Sequence, residues 1–325
     1  MVAWVFAGSW RSAAGKNSDS PSRPAGSSLD LPNRRTLMSD IIVEKRLPSG
    51  RFESHVMIAG DPEKPALILM HGAGPGAHAA SNWRHCFPEL AKDFFVVAPD
   101  MIGFGQSDIP DPLPAHSMTW MGMRVEQVLG LMDHLGIEKA HIVGNSMGGA
   151  VTLHLLIEAP ERFEKVVLMG PAGAPMNRTP EMARLLSFYA DPRLPRYREL
   201  ISSFVYDPSV VPNFDQIVED RFRVATNPEV RRVQEVMFES MKTGMDALIV
   251  PPSALARMPH EVALVHGRHD RVVPLEASLY LLQHLQRAEL TVLDRCGHWA
   301  QIQRWDAMLP IMRTHLLKPN GAADA

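Results

Sequence analysis

Cysteine is almost absent: Cys86 and Cys296 are the only two in 325 residues, and they lie far apart. That excludes a disulfide framework and a CxxC metal site, and it fits a reducing cytoplasm. Long apolar runs are missing too. The longest are strand-sized and broken by Gly, Pro or charge, short of the roughly 18 to 20 residues a membrane-spanning helix needs, so no membrane association is expected. Neither charge sign dominates, with Lys+Arg 33 against Asp+Glu 36 and a net charge of −3. Such a balance offers no general attraction to phosphate backbones, and nucleic acid is set aside as a partner. No repeat at solenoid spacing occurs. What the chain does have is 46% hydrophobic and 21% charged residues. That is the composition of a folded globular protein, long enough for one large α/β domain with an insertion or for two ordinary domains.

The order of segments favours the first of these. Residues 1–37 mix Ser, Pro, Gly and Arg without periodicity and are expected to be a disordered tail. In that tail the positive charge follows the apolar MVAWVFAG instead of preceding it, unlike a secretory signal, and Met38 offers an alternative start. Ile41 to Leu47 and Phe52 to Ala59 read as a hairpin turning at Pro48-Ser49-Gly50. Short apolar runs then alternate with helix-length segments: Ala66 to Met70, Phe94 to Ala98, His141 to Val143, Lys165 to Met169, Val262 to Val265 and Leu290 to Leu293. Alternation of this kind predicts a mostly parallel sheet flanked by helices. It stops over 174–258, a helix-like stretch rich in Met, Arg and Pro. The expected layout is an α/β core of 38–173 and 259–318, a helical cap of 174–258 inserted between two strands, and a short tail, 319–325.

Three strings carry chemistry. Gly144-Asn145-Ser146-Met147-Gly148 joins a strand-like run to the helical AVTLHLLIE and fits the G-x-S-x-G turn that thrusts a nucleophilic serine outward. The helix starting there would offer the Met147 amide to a developing oxyanion. An acid and a histidine are then required downstream, in that order, at strand ends. Asp270 follows Val262 to Val265, and His298 follows Leu290 to Leu293. Alone, each reads as a solvated turn carboxylate or a loop histidine; order and placement together favour a triad. His71-Gly72-Ala73-Gly74-Pro75-Gly76-Ala77, directly after a strand, can supply a second oxyanion donor. It also satisfies a dinucleotide-binding pattern, but it does not open the fold, and Pro75 has no N–H for a pyrophosphate. His266 and His269 beside Asp270 could suggest a metal site, yet read better as neighbours of the triad acid. No metal or organic cofactor is implied.

HGAGPGA at His71, SNWR at Ser81, APDMIGFGQSD at Ala98, GNSMGGA at Gly144 and CGHWAQ at Cys296 together resemble the meta-cleavage product hydrolases, carbon–carbon bond hydrolases of the α/β-hydrolase fold. The resemblance runs from about Ile41 to Leu317. It implies hydrolysis of a small-molecule substrate, a 2-hydroxy-6-oxohexa-2,4-dienoate substituted at C6, to 2-hydroxypenta-2,4-dienoate and a carboxylic acid, in aromatic degradation. Ser146, His298 and Asp270 would form the triad, with Ala73 and Met147 as the oxyanion hole. Gly74, Asn82, Asn145, Arg221 and Trp299 would contact the substrate. The resemblance is compatible with a homo-oligomer. The chain departs from many relatives at Ala73, where they have Gly or Ser, and at Ala80, where they have Trp. Similarity around PELAK and in the cap leans toward alkyl-substituted products, with Met176, Leu186, Phe188, Phe204 and Met237 as candidate lining of the C6 pocket. A serine esterase or lactonase would use the same triad, and a ligand receptor on this scaffold could retain it. Haloalkane dehalogenases and many epoxide hydrolases are disfavoured, since they place an aspartate where this chain has Ser146.

Overall fold

The computed structural model describes residues 42–319. The readings made for 1–37, Met38 and Ile41, and for the tail beyond residue 319, lie outside the described residues. Eight strands form one sheet: β1 (Val43–Ser49), β2 (Phe52–Ala59), β3 (Ala66–Met70), β4 (Phe95–Pro99), β5 (Ala140–Asn145), β6 (Phe163–Met169), β7 (Glu261–Gly267) and β8 (Ala288–Leu293). Their order is β1-β2-β4-β3-β5-β6-β7-β8. β1 and β2 pair antiparallel, as do β2 and β4, and every later pairing is parallel.

The central strands are buried along their whole length, and side chains alternate between the two faces. In β3, Ile68 and Met70 enter one apolar cluster, while Leu67 and Leu69 enter the other. β6 divides in the same way, with Val166 and Leu168 on one side and Val167 and Met169 on the other. Strand β5 is longer than its apolar run suggests, because Ala140, Gly144 and Asn145 continue the pairing to the sheet's edge.

Between β6 and β7 the chain is helical, with Pro180–Leu186, Leu194–Ser202, Phe214–Ala225, Pro228–Gly244 and Pro252–Leu255 as its α-helices. Their starts are legible in the chemistry. Thr179 Oγ1 accepts from the Met182 amide ahead of Pro180, and Asn227 Oδ1 accepts from the Glu229 and Val230 amides ahead of Pro228. Phe188, Tyr189, Tyr197 and Phe238 pack edge-on or tilted, at centroid distances of 5.0 to 5.8 Å. They join the same apolar cluster as one face of the sheet, so the helical segment and the core share one interior. No helix among the described residues is long and apolar enough to cross a membrane.

Asp100, at the end of β4, organises the loop beneath this interface. It accepts from His55 Nδ1 at 2.9 Å, the Ala79 amide at 2.7 Å and the Gln106 amide at 2.9 Å. Burial alone would raise its pKa, but the hydrogen bond from His55 and those from the two amides outweigh that and hold it below the usual carboxylate range. The hydrogen bond to Asp100 in turn raises His55. The His55 contribution to stability is complete below its unfolded pKa of about 6.5 and is lost as pH rises through the raised folded value. The Asp100 contribution is complete above about pH 4 and is lost as pH falls through the lowered folded value. Asp100→Asn should therefore destabilise the protein more at about pH 5.5 than at about pH 9. Urea unfolding at the two pH values checks this, and an equal stability gap would contradict the pair's ionic character.

Candidate active site

β5 ends at Asn145 and the helix Met147–Glu158 begins one residue after Ser146. Ser146 makes the reversal with φ 55 and ψ −118, a strained conformation for a residue with a side chain. Its amide donates to Met169 O at 3.0 Å, and its carbonyl accepts from Gly149 and Ala172, each at 2.9 Å. The turn packs against the end of β3 so closely that a Cβ on Gly148 would overlap Met70 O and His71 O. Glycine there is a requirement of the close approach.

His298 Nδ1 donates to Asp270 Oδ2 at 2.7 Å. The other carboxylate oxygen accepts from the Val272 and Val273 amides at 2.8 and 2.9 Å, so the acid is held from both ends. This bond leaves His298 Nε2 as the ring's proton acceptor. Ser146 Oγ makes no hydrogen bond to that nitrogen in this structure, a slack that catalytic pairs commonly show without substrate. The three groups are gathered around the end of β6. Met169 O receives the Ser146 amide, and a Cβ on the next residue, Gly170, would lie 3.0 Å from Asp270 Oδ2 and 3.2 Å from His298 Nδ1.

The neighbouring histidines have hydrogen-bond partners of their own, although His266 Nε2 also lies 3.5 Å from Asp270 Oδ2. His71 Nδ1 donates to Gly72 O, and its Nε2 accepts from the Met101 amide. Burial lowers its pKa to about 4, so it is a neutral brace for the loop. His266 Nε2 donates to Val273 O and its Nδ1 accepts from Ser278 Oγ. His269 lies against the Tyr206 ring at 4.6 Å.

Neither the Ala73 nor the Met147 amide donates a hydrogen bond among the described residues, which leaves both available to an oxyanion. Arg221, on helix Phe214–Ala225, is 3% exposed, and its guanidinium lies 4.6 Å from the centroid of the Trp299 ring. Among the described residues it has no carboxylate partner, and its Nε and Nη1 have no hydrogen-bond partner. A Cβ on Gly74 would sit 4.0 Å from Arg221 Nη2, so that glycine borders the guanidinium. Burial lowers the Arg221 pKa, and the nearby Tyr197 hydroxyl partly offsets this. Asn145 is fully buried; its Nδ2 donates to Met169 O while its Oδ1 is unpaired.

Asn82 is placed differently. Its Nδ2 is committed to His78 O and Ser81 Oγ within its own turn, so the structure gives it a local structural partner and no free donor. Of the apolar residues offered as pocket lining, Met176 borders a cavity of about 420 Å³ with Ala172, Met182, Met245, Leu248 and Val272. Leu186, Phe188, Phe204 and Met237 belong to the shared apolar cluster. Phe204 has a further part, since its carbonyl accepts from the His298 amide at 2.7 Å and its ring meets Trp299 edge-on.

Sequence reasoning missed three buried polar residues beside the site. Tyr197 and Gln234 bond the Gly-rich loop from the helical segment. Arg124 extends its guanidinium to Met147 Sδ at 3.3 Å and Met237 Sδ at 2.9 Å. All three lie on helices whose polar residues look like ordinary surface positions, and no motif marks them.

The alpha/beta hydrolase fold family matches residues 65–217. The 2-hydroxymuconate semialdehyde hydrolase of Pseudomonas sp. strain CF600 is 36% identical over 84% of this chain and 93% of its own length. The 2-hydroxy-6-oxo-2,4-heptadienoate hydrolase of Pseudomonas putida is also 36% identical, over 77% of this chain and 87% of its own. Among solved structures, the 2-hydroxy-6-oxo-6-phenylhexa-2,4-dienoate hydrolase of Rhodococcus sp. strain RHA1 is 67% identical, with a TM-score of 0.84, covering 85% of this chain and 99% of that one. That relative is named for a phenyl-substituted product, so the alkyl lean read from PELAK and the cap is not carried forward. The chain belongs to the meta-cleavage product hydrolases of the α/β-hydrolase fold.

Proposed function

We propose that this protein hydrolyses the C5–C6 bond of a 2-hydroxy-6-oxohexa-2,4-dienoate, a ring-fission product of aromatic degradation, to 2-hydroxypenta-2,4-dienoate and a carboxylic acid. The observation that carries this reading is Arg221, a buried guanidinium beside the Gly-rich loop, with two unpaired nitrogens, Nε and Nη1, and no carboxylate among the described residues to neutralise it. A buried, uncompensated cation of this kind is costly unless a ligand completes it. The substrate carboxylate is such a ligand, and the guanidinium fork suits it. The unpaired Asn145 Oδ1 is a matching acceptor for the 2-hydroxyl.

With the dienol end held there, the 2-hydroxyl proton is lost and C5 gains one, giving a ketone whose C5–C6 bond can break. His298, oriented by Asp270, takes the Ser146 proton as Oγ attacks the C6 carbonyl. The C6 oxygen becomes anionic between the Ala73 and Met147 amides. Collapse breaks C5–C6, its electron pair passes into the dienolate, His298 returns the serine proton to that dienolate as it leaves as 2-hydroxypenta-2,4-dienoate, and the acyl group stays on Ser146. Water, deprotonated by His298, then releases the carboxylic acid. A cytoplasmic setting is part of the same proposal, supported by Cys86 and Cys296, both buried and free.

Two variants test the reading. Ser146→Ala should lower kcat on 2-hydroxy-6-oxohepta-2,4-dienoate by at least about 10³-fold, followed as loss of the dienoate absorbance, without loss of fold. Arg221→Met keeps apolar packing on Trp299 but removes the charge. It should cut kcat/KM on the dienoate by about 10²-fold while changing turnover of a p-nitrophenyl ester by less than about threefold, since only the dienoate carries the carboxylate. Equal losses on both substrates would remove the clamp, and ester turnover without dienoate cleavage would favour an esterase.

A further inference from the structure

The Gly-rich loop after β3 has little support from the sheet. His71 ties only Gly72 O on the core side, and the loop's one internal backbone bond runs from the Ala77 amide to Gly74 O. No backbone hydrogen bond from a strand reaches residues 73–76 among the described residues. The outer half is held instead from the helical segment inserted between β6 and β7. Tyr197 OH donates to Pro75 O at 2.7 Å, and the Gly76 amide donates to Gln234 Oε1 at 3.2 Å. That amide can only donate, so it fixes which end of the Gln234 side chain faces it. Tyr189 OH, 2.7 Å from the same oxygen, braces it. Gly76 has φ +69 and packs so tightly on Arg221 that a Cβ would overlap Arg221 O. Tyr197 and Gln234 are both fully buried, so water does not compete for these bonds.

The geometry points to Tyr197 and Gln234 as positioning residues that act through the loop, holding the Ala73 amide where the oxyanion forms. The inference rests on the assignment of Ala73 to the oxyanion hole, but not on the identity of the substrate. Hydrogen bonds to an oxyanion are sensitive to placement, and shifts of about 1 Å can cost about 10²-fold in rate. A donor that is displaced but not deleted should cost less than one that is lost.

Tyr197→Phe removes one oxygen and keeps the ring; Gln234→Met keeps the volume and removes the acceptor. Both are compared with wild type by kcat and KM on the dienoate, by the rate at which a fluorophosphonate modifies Ser146, and by the Kd of 2-hydroxypenta-2,4-dienoate. Fluorophosphonate modification forms the Ser146 Oγ–P bond, expels fluoride and passes the serine proton to His298, so it reads the oxyanion hole without any carboxylate. Expected are falls of about tenfold in kcat and in the fluorophosphonate rate together, with KM and product Kd within about threefold. The double variant should lose less than the product of the two single losses, because both act on one loop. Unchanged rates would overturn the inference, and so would a product affinity that weakens in step with kcat, since that places the effect at Arg221. Either variant alone decides the matter should the other not fold. A wild type inert toward the dienoate, with variants slow toward the fluorophosphonate, would overturn the proposed function and leave this inference standing. An active wild type with unaltered variants would do the reverse.

Discussion

Ser146 occupies a backbone conformation that costs a residue with a side chain about 1 to 3 kcal/mol, and the surrounding structure exists in the form that can sustain it. Three constraints hold the turn. β6 receives the Ser146 amide through Met169 O, the helix after the turn begins on its carbonyl, and β3 lies so close behind Gly148 that no side chain fits there. Parallel pairing of β3 with β5 and of β5 with β6 is what brings those strand ends level with one another. Parallel strands running to one edge also explain why Asp270 and His298, which follow β7 and β8, arrive beside a serine far from them in sequence.

Two buried arginines lie nearby, Arg124 against Met147 and Arg221 against the Gly-rich loop, and their surroundings differ. Arg124 bonds Ile102 O and the sulfurs of Met147 and Met237, and its guanidinium lies 5.4 and 5.6 Å from the Phe104 and Trp120 ring centroids. Burial lowers its pKa to about 9, but every direction around it is filled by protein. Arg221 has one ring under it and two nitrogens, Nε and Nη1, unanswered among the described residues. The first is a cation solvated by soft and aromatic groups, and the second is a cation left incomplete. That contrast, more than burial or charge alone, separates an arginine whose donors are answered by protein from one with donors left over.

The eight strands were legible because apolar runs and periodicity survive in a buried parallel sheet. That Ser146, Asp270 and His298 lie together at one end of the sheet was legible because a strained turn demands flanking glycines and because chain order limits which acid and which histidine can reach it. Asn82 shows where motif matching stops, since a side chain in the right string can still spend its donor on its own turn. Tyr197 and Gln234 show the opposite failure. In the sequence they are single polar residues on amphipathic helices, which usually face water, and only the tertiary packing turns them inward onto a glycine loop about 120 and 160 residues away in sequence. Long-range hydrogen bonds of this kind leave no local pattern to read.

The place of the helical insertion follows from the same geometry. It leaves the sheet after Met169, whose carbonyl holds the Ser146 amide, and it returns into β7, whose end leads to Asp270. Because β6 and β7 are parallel, the chain leaves at the strand ends that carry the site and re-enters at the opposite end, where Glu261 pairs with Lys165, so the insertion starts over those strand ends. Once there, it touches each loop that forms the site. Thr179 Oγ1 donates to Val272 O beside the acid, Phe204 O accepts the His298 amide, and Tyr197 and Gln234 bond the loop that carries Ala73. The same segment supplies Arg221. An insertion after β8 would have no chain leaving at β6 to tie it down beside the serine. One placed between β6 and β7 ties the loops that carry Asp270, His298 and Ala73 into a single shell, so the helices and those loops are parts of one packing arrangement.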